Sequence, residues 1–328
     1  MIGFALAFLP LLLHAAVAVS DDIASGAALT PAQAAAIEAT LTPNKASLSD
    51  RRRLLGWYAA QHEPQHRDKR IALILALAQQ GALGWLATHT AANIRREGDA
   101  LASPEGYAKV KAALVARAEK SKLPLDRSNA AWFVFPEEPD EAIRITAESG
   151  LMRDTAVLAA HYLLGVVTPD ARSTAFGRGL LQLVNETPEP LFQFAFAGAL
   201  SETGARLYAA GKSDWNYTTL ANEAFARAAK AEPQQTNCGY DPVVLPARGS
   251  LASSVKPALA PPAGDVTFYA LIGCSGHAVS LEWLDGPAES VSAAKREIAV
   301  RQFDVPFNGS QPRQVLQLVT GGAARKAR

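Results

Sequence analysis

Residues 266–286 read VTFYALIGCSGHAVSLEWLDG, and this stretch decides the fold of the C-terminal part of the chain. Apolar and other side chains alternate on both sides of Gly273-Cys274-Ser275-Gly276. Alternation with period two is typical of a β-strand that turns one face toward a core, and glycine supplies the backbone freedom of a tight turn. The stretch therefore predicts an amphipathic β-hairpin closed by residues 273–276.

After the hairpin, apolar residues return at helical spacing over residues 288–301. Residues 303–307 alternate again and run into Asn308-Gly309, a dipeptide typical of two-residue hairpin turns, and residues 313–319 form the predicted last strand. The order is strand, strand, helix, strand, strand. It predicts a small α+β domain in which one helix packs on a face of an antiparallel sheet.

This order of elements resembles the C-terminal domain of the TonB energy-transducer family over roughly residues 255–320. The residues that carry the resemblance are Gly264, Val266, Gly276, Val279, Ala293, Ala294, Phe303, Pro306, Asn308 and Gly309. The resemblance implies the α+β fold over residues 264–320 and a protein-binding role in the periplasm. In the family pattern, residues 273–276 are the turn of the hairpin.

Residues 30–233 are rich in Ala and Leu at helical spacing, with Pro, Gly and Asn at the breaks. The predicted helices begin at Pro31 and then cover residues 47–60, 70–78, 104–120, 128–135, 140–149, 155–166, 171–184, 190–210 and 214–231. Pairs of such helices bury their apolar faces only by stacking, which predicts an all-α array of degenerate helix-turn-helix repeats. Residues 129–133 and 140–142 give this array a loose resemblance to tetratricopeptide-like arrays.

Three further segments complete the predicted organisation. Residues 1–18 form an apolar run that ends in Ala16-Val17-Ala18, which is typical of a cleaved signal peptide and predicts export; an uncleaved anchor is the alternative, and only that alternative implies association with a membrane. Residues 241–263 are rich in proline and predict an extended linker. Residues 321–328 predict a disordered basic tail.

The overall charge excludes one class of partner. The chain has 32 Lys and Arg against 31 Asp and Glu, which gives a net charge of +1. No strong field draws the molecule to phosphates, so nucleic acid is not expected as a partner. The sequence also has no phosphate-binding glycine loop and no dinucleotide fingerprint, so we expect no cofactor.

Cys238 and Cys274 are the only cysteines of the chain. An even count in an oxidising compartment favours a disulfide, which would stabilise the fold by about 3–4 kcal/mol on the chain-entropy view. Two buried free thiols are the alternative. Cys274 could also serve as a nucleophile beside His277, but no third group that would orient the histidine is identifiable.

His62-Glu63-Pro64-Gln65-His66 matches the H-E-x-x-H pattern of zinc hydrolases. That chemistry requires both imidazoles on one face of an unbroken helix, and Pro64 in the interior of the motif breaks it. The sequence therefore favours a polar loop between two helices, and no metal site is expected. An envelope hydrolase that uses His62, Glu63 and His66 with zinc, or Cys274 with His277, is the alternative function.

The sequence thus predicts a non-catalytic periplasmic protein that binds other envelope proteins or peptides. The contact surfaces would be a helical groove, the edge of the C-terminal sheet, or both. The predicted edge strand consists of Gln314, Val315, Leu316, Gln317, Leu318 and Val319.

Overall fold

A computed structural model describes residues 22–41, 46–61, 63–80, 90–98, 101–121, 123–211, 217–230, 266–303, 305, 307–308, 311–312 and 314–322. The predicted signal peptide, the predicted linker over residues 241–263 and Cys238 lie outside these residues, as do tail residues 323–328. The chain divides into two compact units, Met1–Glu138 and Pro139–Arg328. Each unit has its own buried side chains.

The first unit is helical throughout its described secondary structure. Its helices are α1 (Pro31–Leu41), α2 (Leu48–Ala60), α3 (Pro64–Gln80), α4 (Pro104–Ser121) and α5 (Pro124–Val134), and residues 22–27 are helical as well. Helices that follow one another in the chain pack in pairs. Four of the five labelled helices begin with proline, whose fixed φ and missing N–H suit the first helical position.

Two helix starts in this unit differ from the predicted ones. Helix α3 begins at Pro64, whereas the sequence predicted a helix only from Arg70, because Pro64 occupies the first helical position and does not interrupt a helix. Helix α2 is capped by Ser47, whose Oγ accepts a hydrogen bond from the backbone N–H of Asp50 at 3.1 Å. Residue 47, where the sequence predicted this helix to begin, is therefore its N-cap, and α2 begins at Leu48.

The second unit begins with helices and ends with a small sheet. Its helices are α6 (Pro139–Glu148), α7 (Met152–Leu163), α8 (Ala175–Glu186), α9 (Pro190–Ala209), α10 (Thr218–Ala229) and α11 (Val291–Ala299). Its strands are β1 (Val266–Ile272), β2 (Ala278–Asp285), β3 (Phe307–Asn308), β4 (Gln311–Pro312) and β5 (Val315–Gly321). Helix α7 lies at the centre, since every residue after Met152 is buried, and it packs against α6 and α9.

The predicted hairpin of β1 and β2 is confirmed, and the strand order of the sheet is β2-β1-β5. Both pairings are antiparallel, and β5 pairs with β1 from Val266↔Gly321 to Ile272↔Val315. A short antiparallel ladder of β3 and β4 does form at the predicted hairpin, with Phe307 opposite Pro312 and Asn308 opposite Gln311. The prediction that residues 313–319 continue this hairpin is wrong, because β5 pairs with β1 instead.

Strand β1 is buried on both faces, so the prediction of an amphipathic strand is also wrong. Successive side chains of a strand point to opposite faces. On one face Phe268 and its neighbours pack against Ala294 and Ile298 of α11. On the other face Tyr269 lies against Arg153 of α7, and α9 also contacts the sheet. The second layer of helices covers the face that the sequence pattern assigned to solvent.

The predicted fold class is thus confirmed at the level of a mostly helical chain with a small antiparallel sheet and a helix near the C-terminus. Among the described residues, no helix is both long enough and apolar enough to cross a membrane.

Candidate interaction surfaces and a buried polar junction

The predicted partner-binding strand lies at the edge of the three-stranded sheet. Residues 315–319 belong to β5, and Gln314 directly precedes it. The register of β5 against β1 is unbroken, whereas the register of β2 against β1 shifts near each end. Within the part of the chain that the structure describes, β5 has a strand partner on one side only.

One side-chain contact shows which backbone groups of β5 point away from β1. Arg301 Nη1 donates a hydrogen bond to the backbone oxygen of Thr320 at 3.0 Å. Alternation along an antiparallel strand places the backbone groups of Leu316 and Leu318 on the same outward side as those of Thr320. Arg301 therefore caps one end of the edge and leaves the stretch around Leu316 and Leu318 for an incoming strand.

The composition of this edge lacks the usual protection against pairing. Natural edge strands are blunted by charged side chains, proline or β-bulges. Val315–Gly321 reads VLQLVTG, without a charge or a proline, and its register against β1 has no bulge. The edge is therefore suited to adding a further strand.

A second candidate surface is a groove between α6 and α8. Its volume is about 680 Å³. The groove is lined by Asp140, Glu141, Ile143, Arg144, Ala147, Ala175, Phe176, Gly179, Leu180 and Leu183. A Cβ atom on Gly179 would meet no other atom within 4 Å, so the groove is open at this point of the helix.

Replacing Gly179 by Ala is expected to raise the free energy of unfolding by about 0.5–1 kcal/mol, because glycine in a helix interior loses more backbone entropy than alanine. The matched control is Gly177→Ala in the same helix, where the new Cβ would lie 2.0 Å from the backbone oxygen of Ala171. Urea denaturation measures both variants. A higher free energy of unfolding in Gly177→Ala, or a lower one in Gly179→Ala, would contradict the open groove.

Polar and charged groups meet where α7 contacts β1 and β2. Arg153 Nη1 donates to Asp154 Oδ1 at 2.6 Å, and the Arg153 guanidinium lies 5.0 Å from the centre of the Tyr269 ring. The backbone N–H of Arg153 donates to Glu282 Oε2 at 3.0 Å. Leu151, the N-cap residue of α7, provides no side-chain cap. Glu282 of β2 therefore caps α7 from another element. We call Arg153, Asp154, Tyr269 and Glu282 the polar junction.

Burial shifts the ionisation of the polar junction and of its neighbour His161. Burial, aided by the negative charge of Asp154, raises the pKa of Glu282 to about 8. Burial also raises the pKa of Tyr269 above its usual range. The pKa of His161 is lowered to about 3 by burial and by the positive charges of Arg206 and Arg153. His161 Nε2 lies 3.2 Å from Thr203 Oγ1, so this buried histidine has a hydrogen-bond partner in the core.

Several buried polar atoms at this contact have no hydrogen-bond partner among the described residues. At the junction they are Asp154 Oδ2, Glu282 Oε1 and Tyr269 Oη; elsewhere on the sheet, Thr267 Oγ1 and both amide atoms of Gln314 are buried without a partner as well. Unpartnered buried polar atoms are rare in native interiors and mark a functional constraint or bound water. Sequence reasoning missed this junction, although Arg153-Asp154 within an apolar helix was a pattern that pointed to it.

The residues of the zinc pattern do not form a helical pair in the described part of the chain. Glu63 precedes α3, and its Oε2 lies 2.9 Å from His66 Nδ1. His66 also stacks on Tyr58 at a ring distance of 6.1 Å, while His62 lies outside the described residues. No three described His, Cys, Asp or Glu side chains are grouped so that they could hold a metal ion.

Cys274 and His277 belong to the turn between β1 and β2. Cys274 is buried, and none of the described cysteines is a free thiol. His277 is exposed, and its Nδ1 lies 3.3 Å from the backbone oxygen of Arg301. Because Cys238 lies outside the described residues, its pairing with Cys274 stays a prediction.

No family model, no curated protein and no solved structure matches this chain. The resemblance to the TonB C-terminal domain and to tetratricopeptide-like arrays therefore stays a prediction from the residues that carry it.

Proposed function

We propose that the chain is a non-catalytic protein-interaction protein of the bacterial cell envelope that binds partner proteins or peptides in the periplasm. The observation that carries this proposal is the edge strand β5, which is regular, uncharged and free of proline. The near-neutral chain, with a net charge of +1, fits neutral protein segments better than nucleic acid as partners.

The proposed mode of binding is strand addition. An extended segment of the partner would pair with the outward backbone groups of Leu316 and Leu318, and Arg301 would mark the end of the paired stretch. Main-chain hydrogen bonds would supply the affinity, and the alternate side chains of the partner would supply the specificity.

The remaining features of the proposal rest on the sequence. They are a signal peptide at residues 1–18, stacked degenerate repeats within residues 30–233, a TonB-like domain at residues 264–320 and a disulfide between Cys238 and Cys274. Export through the signal peptide would place the cysteines in an oxidising compartment, where such a bond persists.

Leu316→Pro is expected to abolish partner binding at the edge, because proline removes the outward N–H of this residue. Binding is read by a photo-crosslinking amino acid at Gln317 in native cells, with the crosslinked segment of the partner identified by mass spectrometry. Leu316 is buried, so the substitution also removes side-chain packing. The matched control is Leu316→Ala, which removes that packing but keeps the N–H.

The expected result is a crosslink that is lost in Leu316→Pro and retained in Leu316→Ala, with both proteins folded. Equal loss in the two variants would contradict strand addition. A second crosslinker at Leu183 tests the groove between α6 and α8 in the same cells. Crosslinks at Leu183 alone would assign the interaction to the groove and remove the edge from the proposal.

A further inference from the structure

Strand β2 contacts the helices of the second unit at two helix N-termini. Glu282 accepts a hydrogen bond from the N–H of Arg153 in the first turn of α7. Ser280, two residues earlier on the same face of β2, donates to Glu189, the N-cap residue of α9. The sheet is therefore held on α7 and α9 through polar contacts, in addition to apolar packing.

The charges at the polar junction do not balance if the carboxyl groups of Glu282 and Asp154 are both ionised. Helix α7 contributes Arg153 and Asp154 to the junction, and β1 contributes Tyr269. Asp154 is fully buried, and its carboxylate already neutralises the charge of Arg153 in a 2.6 Å ion pair. One guanidinium thus lies beside two carboxyl groups, and a second buried negative charge has no counter-ion of its own.

Other titratable groups on the surrounding elements do not correct this imbalance. On α9, Glu189 contacts Ser280, and Arg206 contacts Thr203 beside His161. The charged side chains of α11, namely Lys295, Arg296 and Glu297, are exposed and belong to the helix on the opposite face of the sheet. Among the described residues, Arg153 is therefore the cation that Glu282 and Asp154 share.

We propose that the polar junction is a proton-operated latch: a protonated Glu282 holds the sheet on α7 and α9, and release of this proton to solvent loosens the sheet. The carboxyl group keeps its hydrogen bond from the Arg153 N–H in either state, so the change lies in the charge that has to be buried next to Asp154. This latch is independent of which partner binds at β5.

The sign of the pH dependence follows from linkage. Glu282 has a pKa of about 8 in the closed junction against an ordinary value of 4.5, so the closed junction binds the proton more tightly than the open junction does. The stability of the closed junction is complete below pH 4.5 and falls as the pH rises toward 8. His161 has a pKa of about 3 against an ordinary 6.5, so its contribution is lost as the pH falls and is constant above pH 6.5.

Hydrogen exchange of the β1 amides tests the latch between pH 6.5 and 8. In this interval Glu282 titrates, whereas His161 does not. After correction for intrinsic exchange, we expect the opening constant of β1 to rise about tenfold over this interval. Amides of α8, which belongs to neither side of the junction, serve as the internal reference and are expected to keep their protection.

Glu282→Gln keeps an oxygen acceptor for the Arg153 N–H but cannot ionise, so its β1 opening constant is expected to be independent of pH. The matched control is Glu289→Gln, which changes an exposed glutamate just beyond β2 and should retain the tenfold response. If Glu282→Gln does not fold, Asp154→Asn provides a second test, because removal of the neighbouring negative charge should move the midpoint to lower pH.

Three results would overturn the proposal. They are an unchanged β1 opening constant in the unaltered protein, a pH response that persists in Glu282→Gln, and an equal loss of protection in α8, which would indicate global unfolding.

Discussion

Arg153→Met is expected to lower the free energy of unfolding by about 3–5 kcal/mol at pH 7, because it leaves the carboxylate of Asp154 buried without its counter-ion. Asp154 is fully buried and makes its 2.6 Å ion pair with Arg153. Methionine retains much of the apolar volume of the arginine stem, so the loss reports mainly on charge. Urea denaturation followed by circular dichroism measures the change.

The control is the double variant Arg153→Met with Asp154→Asn, which removes both charges. Replacing both members of a buried ion pair is often close to neutral, so the double variant is expected to be more stable than Arg153→Met alone. A double variant as unstable as the single one would show that Arg153 acts through packing on Tyr269 instead.

The local elements of this fold could be predicted because their determinants are local. The alternation in residues 266–272 and 278–285 predicts the two strands of the confirmed hairpin, and the spacing of Val291, Ala294 and Ile298 predicts α11. Prolines at helix starts are also local, but their role depends on position. The H-E-x-x-H pattern places Pro64 in a helix interior, where proline breaks a helix, whereas the structure places it at the first helical position, which proline suits.

The long-range pairings could not be predicted in the same way. Asn308-Gly309 is typical of a hairpin turn, yet β5 pairs with β1, whose residues lie about fifty positions earlier in the chain. The strand with which β5 pairs depends on the length of the pairing and on the side chains packed across the sheet. Neither can be read from a short window of sequence.

The candidate edge was predictable as a terminal strand, whereas the polar junction was not. Thr267, Tyr269 and Glu282 alternate with apolar residues, and such alternation normally indicates a face in water. That face is instead covered by α7 and α9, a second layer whose position no local pattern encodes. Burial of these polar groups, and the raised pKa of Glu282 that follows from it, are therefore properties of the tertiary packing.

Gly276→Ala is expected to lower the free energy of unfolding by about 2–4 kcal/mol, because two effects add at this turn. The φ angle of Gly276 is +79°, in the left-handed region that disfavours a Cβ atom. The new Cβ would also lie 2.7 Å from the backbone oxygen of Phe303, in a contact that is fixed by the hydrogen bond from the Phe303 N–H to the Gly276 oxygen at 2.8 Å. Thermal or urea unfolding measures the loss.

Gly150→Ala separates the two effects. Gly150 has a φ of +68° in the turn between α6 and α7, but a Cβ atom there would meet nothing within 4 Å. This variant is expected to lose only the backbone term, about 1–2 kcal/mol. The difference between the two losses in free energy of unfolding then measures the cost of the close approach of residues 301–303 to the β1–β2 turn. Equal losses would mean that the turn can move away from Phe303, and the hairpin would then be held by its strand pairing alone.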